Sequence, residues 1–312
     1  MNKTKTKIAI FKRNFIRDWQ LHLMIVLPTI PFVIFRYGPM YGVQIAFRNY
    51  RVADGITGSE WVGFKWFIDF LTDPRFGEIF INTIALAAYS LLLFPIPVIM
   101  ALIFNAMKSK KYVKTVQTIS YMPHFISTAV FVGIIDMLLS PVVGIYGNIF
   151  RLFGGDGYPF DFRTSAEAFR HIHVWSGTWK DTGWATILYT SALSAVPMEL
   201  HEAARIDGAS RFKRMLHIDL PTILPTVALM LIMRIGGLLN VGFEKAYMMQ
   251  NTLNLKTSEI ISTYVYKKGL KDFRGFSYGT AIGLFNTAIN ITLMIIANTI
   301  TKKLTEDEVS LF

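Results

Sequence analysis

Glu199-Leu-His-Glu-Ala-Ala-Arg-Ile-Asp-Gly-Ala-Ser-Arg-Phe-Lys-Arg-Met-Leu-His-Ile-Asp-Leu-Pro221 is a polar, basic stretch set between apolar segments too long for a soluble core. Glu199 to Ile206 are mostly good helix formers, and Gly208 supplies the positive φ that ends a helix without a Cβ penalty. Ser210 is placed to cap a second short helix, and Leu220-Pro221 is expected to close it before the next apolar run. A two-helix elbow carrying Arg205, Arg211, Lys213 and Arg214 between two membrane spans is built to touch something outside the membrane.

The rest of the composition agrees with that setting. Of 312 residues, 52% are hydrophobic and only 17% charged, and the mean hydropathy is +0.39. With the apolar residues clustered in long runs, the class is a multispanning membrane protein. A net charge of +11 would suggest nucleic acid in a soluble protein. Here Lys and Arg gather on the short flanks of apolar runs, and no basic, aromatic strip lies on a polar fold, so nucleic acid is rejected as a partner. The absence of cysteine excludes disulfides, thiolate metal sites and thiol chemistry. The first apolar run carries Pro28 and Pro31 and leads into Arg36-Tyr37-Gly38-Pro39 with no small-x-small cleavage site. It reads as a retained span and not as a signal peptide.

In chain order, residues 1–20 form a basic amphipathic segment suited to the inner leaflet, its cations toward anionic lipid headgroups. Residues 21–301 hold six expected spans: Leu21–Tyr37, Ile79–Phe104 (kinked at Pro95 and Pro97), Val116–Leu139, Val174–Val196, Pro221–Val241 and Ser277–Ile300. An amphipathic helix is expected along the outer face at Trp61–Leu71, and Lys108, Lys110, Lys111 and Lys114 mark an inner turn. Residues 302–312 are a short tail. With both termini cytoplasmic, the elbow also faces the cytoplasm.

Glu202-Ala203-Ala204, three residues, Gly208, nine residues, then Ile218-Asp219-Leu220-Pro221 resembles the EAA loop of ABC-importer permeases at every fixed position. Further stretches resemble the carbohydrate-uptake, MalF-like branch and its LplB-like subgroup. They include Phe35-Arg36-Tyr37-Gly38-Pro39-Met40-Tyr41-Gly42, Gln117 to Ser127, Gly242-Phe243-Glu244 and Ala281-Ile282-Gly283-Leu284-Phe285. The resemblance implies an all-α, type I ABC importer permease fold (MetI-like) in a bacterial plasma membrane. It also implies one of two homologous permeases, an ATPase dimer, an extracellular solute-binding protein and an oligosaccharide substrate. In that family the elbow's first helix couples to the ATPase, which places Glu202, Ala203, Ala204, Arg205, Asp207 and Gly208 at that contact. Small side chains at 203 and 204 make the same sense from size alone, since they let two backbones approach closely.

No Gly-x4-Gly-Lys-Ser/Thr loop occurs, so ATP and Mg are expected on the partner, with no catalytic residue and no cofactor on this chain. For a solute path, sugars need hydrogen-bonding groups and aromatic platforms. Tyr89, Asp136, Trp184, Tyr189, Asn286 and Asn290 are the candidates, the last two one helical turn apart. Asp136 would cost ~2.5–3.5 kcal/mol at a bilayer centre, so it should face protein or water. The plainer alternative for each is a hydrogen bond to a neighbouring helix. Arg234 and Glu244 could form a structural ion pair. His171-Ile172-His173 has a spacing that suits a strand and no third ligand, so no metal is expected. An ion-coupled secondary transporter working without an ATPase is the alternative, and a membrane enzyme built on the two histidines is a more distant one. Neither explains the elbow.

Overall fold

The computed structural model describes residue 15, residues 17–270 and residues 275–304. Most of the basic segment 1–20 and of the tail 302–312 therefore lies outside the described residues. The chain folds as α1 (Trp19–Phe32), β1 (Arg48–Asn49), β2 (Glu60–Trp61), α2 (Lys65–Leu71), α3 (Phe76–Leu92), α4 (Pro95–Ala106), α5 (Lys110–Tyr121), α6 (Thr128–Leu138), α7 (Ile145–Leu152) and α8 (Ala166–Leu193). After these come α9 (Met198–Ile206), α10 (Arg211–Arg214), α11 (Leu220–Gly236), α12 (Phe243–Met249), α13 (Leu255–Ser258), α14 (Ile261–Val265) and α15 (Phe276–Leu304).

Among the described residues four helical runs are long and apolar enough to cross a membrane: Trp19–Phe47, Phe76–Ala106, Arg211–Gly236 and Phe276–Lys303. The other two expected spans differ from their reading. Val116–Leu139 is not one helix: α5 and α6 meet at 105°. Pro123 ends the regular hydrogen bonding, and the Ser127 side chain accepts from the Val130 N–H to start α6 afresh. The fourth is α8, 28 residues long, which is more polar than the four runs above because Arg170, His171, His173, Lys180 and Asp181 lie in it. His171 and His173 are thus on a helix and not on a strand.

The core has three parts. Next to the elbow Val98, Ala101 and Leu102 of α4 pack on Tyr189 and Leu193 of α8 and Ile223 of α11. In the middle, Leu86 of α3 meets Phe169 and Val174 of α8 with Ala246 and Ile260. At the end away from the elbow Phe70 of α2 sits among Ile79, Ile261, Tyr264 and Ile282. The expected outer helix at 61–71 begins later, at Lys65, and its buried anchor is Phe70. Gly183 brings α8 onto α5 so closely that a Cβ there would lie 2.0 Å from the Ser120 carbonyl oxygen.

A polar lattice ties segment 242–276 to the long helices. Asn82 of α3 donates to the carbonyls of Lys256 (2.9 Å) and Glu259 (3.1 Å), and Arg170 of α8 donates to its side-chain oxygen at 2.7 Å. Glu259 is buried between Arg75 and Lys267, the latter at 2.8 Å. The Tyr264 hydroxyl donates to Asp73 at 2.5 Å. Burial alone would push the Asp73 carboxyl up. Hydrogen bonds from Tyr264, the Arg75 backbone N–H and Tyr278 outweigh it and hold that carboxyl below the usual carboxylate range.

Candidate functional site

The elbow is ordered by its own backbone. At the end of α9 the Ala209 N–H donates to the Ala204 carbonyl at 2.8 Å and the Gly208 N–H to the Arg205 carbonyl at 3.0 Å. This paired closure requires a left-handed residue, and Gly208 has φ +76°. The Ser210 hydroxyl then accepts from the Lys213 N–H at 3.3 Å and starts α10.

Pro221 does not stop the helix, contrary to expectation. Met215–Asp219 winds as a wider π-helical turn between α10 and α11, and Arg211–Gly236 forms one span-length helical run. A proline lacks the N–H and crowds the carbonyl four residues back, and a π turn is one way to make room for its ring.

One face of the elbow is left open. Glu202, Ala203, Arg205, Asp207 and Gly208 are exposed and Ala204 is half-buried. Among the described residues no hydrogen bond or ion pair engages the side chains of Glu202, Arg205 or Asp207. Ile206 is 88% exposed and Phe212 64%, apolar area that a polar loop would normally cover. The opposite face is anchored. Asp219, buried, meets His201 Nε2 of α9 at 3.1 Å and accepts from Asn105 Nδ2 of α4 at 3.2 Å. One carboxylate thus joins α9, the C-terminal end of α4 and the root of α11.

A second feature is an open cavity of about 540 Å³ bordered by α3, α4, α8, α11 and α12, a size in the usual range for small-molecule sites. Its polar wall includes Ser90, Thr178, Asp181, Thr182, Arg234, Asn240 and Lys245, with Phe94, Tyr189 and Met233 among its apolar residues. Lys245, in the outer segment, donates to the His173 carbonyl at 2.6 Å. Burial, with Lys180 nearby, outweighs Asp181 and lowers the Lys245 ammonium to about 7.

Of the six path candidates, Tyr189 lines this cavity. Tyr89 does not: its hydroxyl accepts from Trp175 at 2.7 Å and bonds His171 at 3.0 Å. Trp184 stacks on His124 at 4.7 Å, outside the lining. Asp136 lies by a small cleft beside Arg163. Asn290 accepts from the Leu239 N–H at 3.1 Å, and Asn286 donates to Asn240 at 3.5 Å, one residue removed from the wall. Arg234 and Glu244 form no ion pair among the described residues. The cavity residues that sequence reasoning did not single out as path residues, Asp181, Arg234, Asn240 and Lys245, come from α8, α11, α12 and the link between the last two. No local spacing unites them.

Residues 75–306 match the family described as "Binding-protein-dependent transport system inner membrane component". The chain belongs to this family. This permease is 40% identical over 306 residues to the polygalacturonan/rhamnogalacturonan transport system permease protein YteP of Bacillus subtilis, covering 98% of this chain and 94% of that one. To Protein LplB of the same organism it is 41% identical over 292 residues, covering 93% and 91%. Its fold superposes with a TM-score of 0.84 on a chain of the bacterial alginate ABC transporter solved with an alginate pentasaccharide-bound periplasmic protein, at 35% identity and covering 96% of this chain and 99% of that one. The permease is a mostly helical subunit of an ABC importer and not itself an enzyme.

Proposed function

We propose that this permease forms half of the translocation path of an oligosaccharide importer, with both termini in the cytoplasm. A second, homologous permease supplies the other half. A separate ATPase dimer, which holds the ATP and Mg, seats on Glu202, Ala203, Ala204, Arg205, Asp207 and Gly208. An extracellular binding protein delivers solute to the outer segments, and the cavity beside Tyr189 belongs to the path. Both partners then bias one bistable packing of helices, the ATPase from inside and the loaded receptor from outside.

The observation that carries this reading is the elbow: rigid in its turn, bolted at Asp219, and open on the face that bears Glu202 and the exposed Ile206. The oligosaccharide class is supported by what the relatives' names say they carry. Expected: Glu202→Ala or Gly208→Pro abolishes ATP-dependent uptake in cells while the protein still inserts and pairs with its sister subunit. Uptake unchanged in either variant would count heavily against coupling through the elbow. Transport by this chain in liposomes without any ATPase would favour an ion-coupled carrier.

A further inference from the structure

We infer that α7 lies in the lipid–water interface of the bilayer, its apolar face seated in the acyl chains of the leaflet where α6 ends. This goes beyond the importer reading and depends neither on the solute nor on the ATPase contact. Ile145, Ile149 and Leu152 fall on one face of α7 at i, i+4 and i+7, and Phe153 follows directly after. Gly147, Asn148 and Arg151 take the other face. Nothing in this chain covers the apolar side: Leu152 is 82% exposed and Phe153 85%, and Ile145 and Ile149 are exposed as well. The helix is nevertheless held firmly in place. A Cβ at Gly144 would collide with the carbonyl oxygens of Met137 and Ser140, and one at Gly147 with that of Pro141, so α7 is folded tightly onto the end of α6. Arg151 closes the clasp, donating to the carbonyls of Pro141 at 3.3 Å and Val142 at 3.0 Å and to Asn148 Oδ1 at 2.6 Å. The one cation of the helix is thereby spent on its own turn.

The cover that fits this face is lipid. α5 and α6 together have the length and apolar composition of a span broken at 105°, so the surface that α6 turns outward already belongs to the bilayer. That surface continues into α7, since Met137 at the end of α6 and Val143 in the turn are exposed too. No charged residue occurs between Asp136 and Arg151. A face that docks a soluble receptor carries a polar rim, whereas an amphipathic helix at the interface needs only its apolar side immersed. So seated, α7 sets the depth of α6, whose 11 residues span about 16 Å, roughly half of a ~30 Å hydrocarbon core. Phe131 of α6 lies 5.5 Å from the Lys245 ammonium, so the depth that α7 imposes reaches the cavity wall.

The test exploits the absence of cysteine from this chain. Ile149→Cys and Leu152→Cys are spin-labelled one at a time in the assembled importer, with the reactive cysteines of the partner subunits replaced, in nanodiscs of phosphatidylethanolamine and phosphatidylglycerol. Asp156→Cys, in the exposed loop after α7, is the reference for a site in water. Each label is relaxed by oxygen, which concentrates among acyl chains, and by a water-soluble nickel chelate. At positions 149 and 152 oxygen is expected to act several-fold more strongly than the chelate, with the order reversed at 156. Adding loaded receptor should change neither ratio. Stronger relaxation by the chelate at 149 and 152 puts the face in water and overturns the assignment. Weak relaxation by both agents there, with or without receptor, means a protein cover and overturns it equally. Leu152→Cys removes a side chain with few contacts to lose, so it reads the face even where Ile149→Cys disturbs assembly.

Discussion

At the scale of single residues, the elbow depends on groups whose neighbours define their cost. Asp219 is buried with His201 and Asn105 as its partners. His201→Ala leaves that carboxylate with one neutral donor, and removing a partner from a buried polar group costs about 1–3 kcal/mol. The expected outcome is a lower melting temperature for His201→Ala in detergent, with Asp219→Asn milder because its amide still bonds. Asp73 gives a pH signature. Its carboxyl is held below the ordinary range in the fold, chiefly by hydrogen bonds that outweigh its burial. It therefore adds stability that is present above the unfolded-state value of about 3.9 and is lost as pH falls through the folded value. Tyr264→Phe should flatten that acid limb in melting curves taken between pH 6 and 3. Gly208 and Ser210 were legible from the sequence because a left-handed turn and a helix cap are local events. Tyr89 was not, since Trp175 and His171 take up its hydroxyl from another helix.

At the scale of elements, two prolines had opposite outcomes from similar sequence signals. Pro123 sits at a true break, after which α6 leaves α5 at 105°. Pro221 was expected to break the chain and is absorbed by the π turn Met215–Asp219. Local preference fixes that a proline disturbs the ladder. Which remedy the chain adopts depends on what packs alongside, and Asp219 is pinned from two other helices. The α5–α8 contact has a similar origin, since only a residue without a side chain fits against Ser120. Gly183→Ala should therefore cost about 1–3 kcal/mol or more, as overpacking does. Differential scanning of the purified complex checks this, and an unchanged melting temperature would contradict so close a contact.

At the scale of the molecule, α8 organises the bundle: it enters two of the three buried clusters, the polar lattice around Asn82 and the cavity wall. Its charged and histidine residues made it the weakest span by composition, for the same reason that it is the most informative one. The outer lattice predicts a division of labour. Asn82→Ala should leave basal ATP hydrolysis by the assembled importer nearly intact and reduce its stimulation by loaded receptor several-fold, read as phosphate release with and without receptor. Asn82, Arg170 and the carbonyls of Lys256 and Glu259 fasten the roof formed by segment 242–276 to two long helices at once. A load applied anywhere on that roof then tips both beams together, as a lintel transfers weight to its posts, and little of the push is dissipated in loose chain before it reaches the interior.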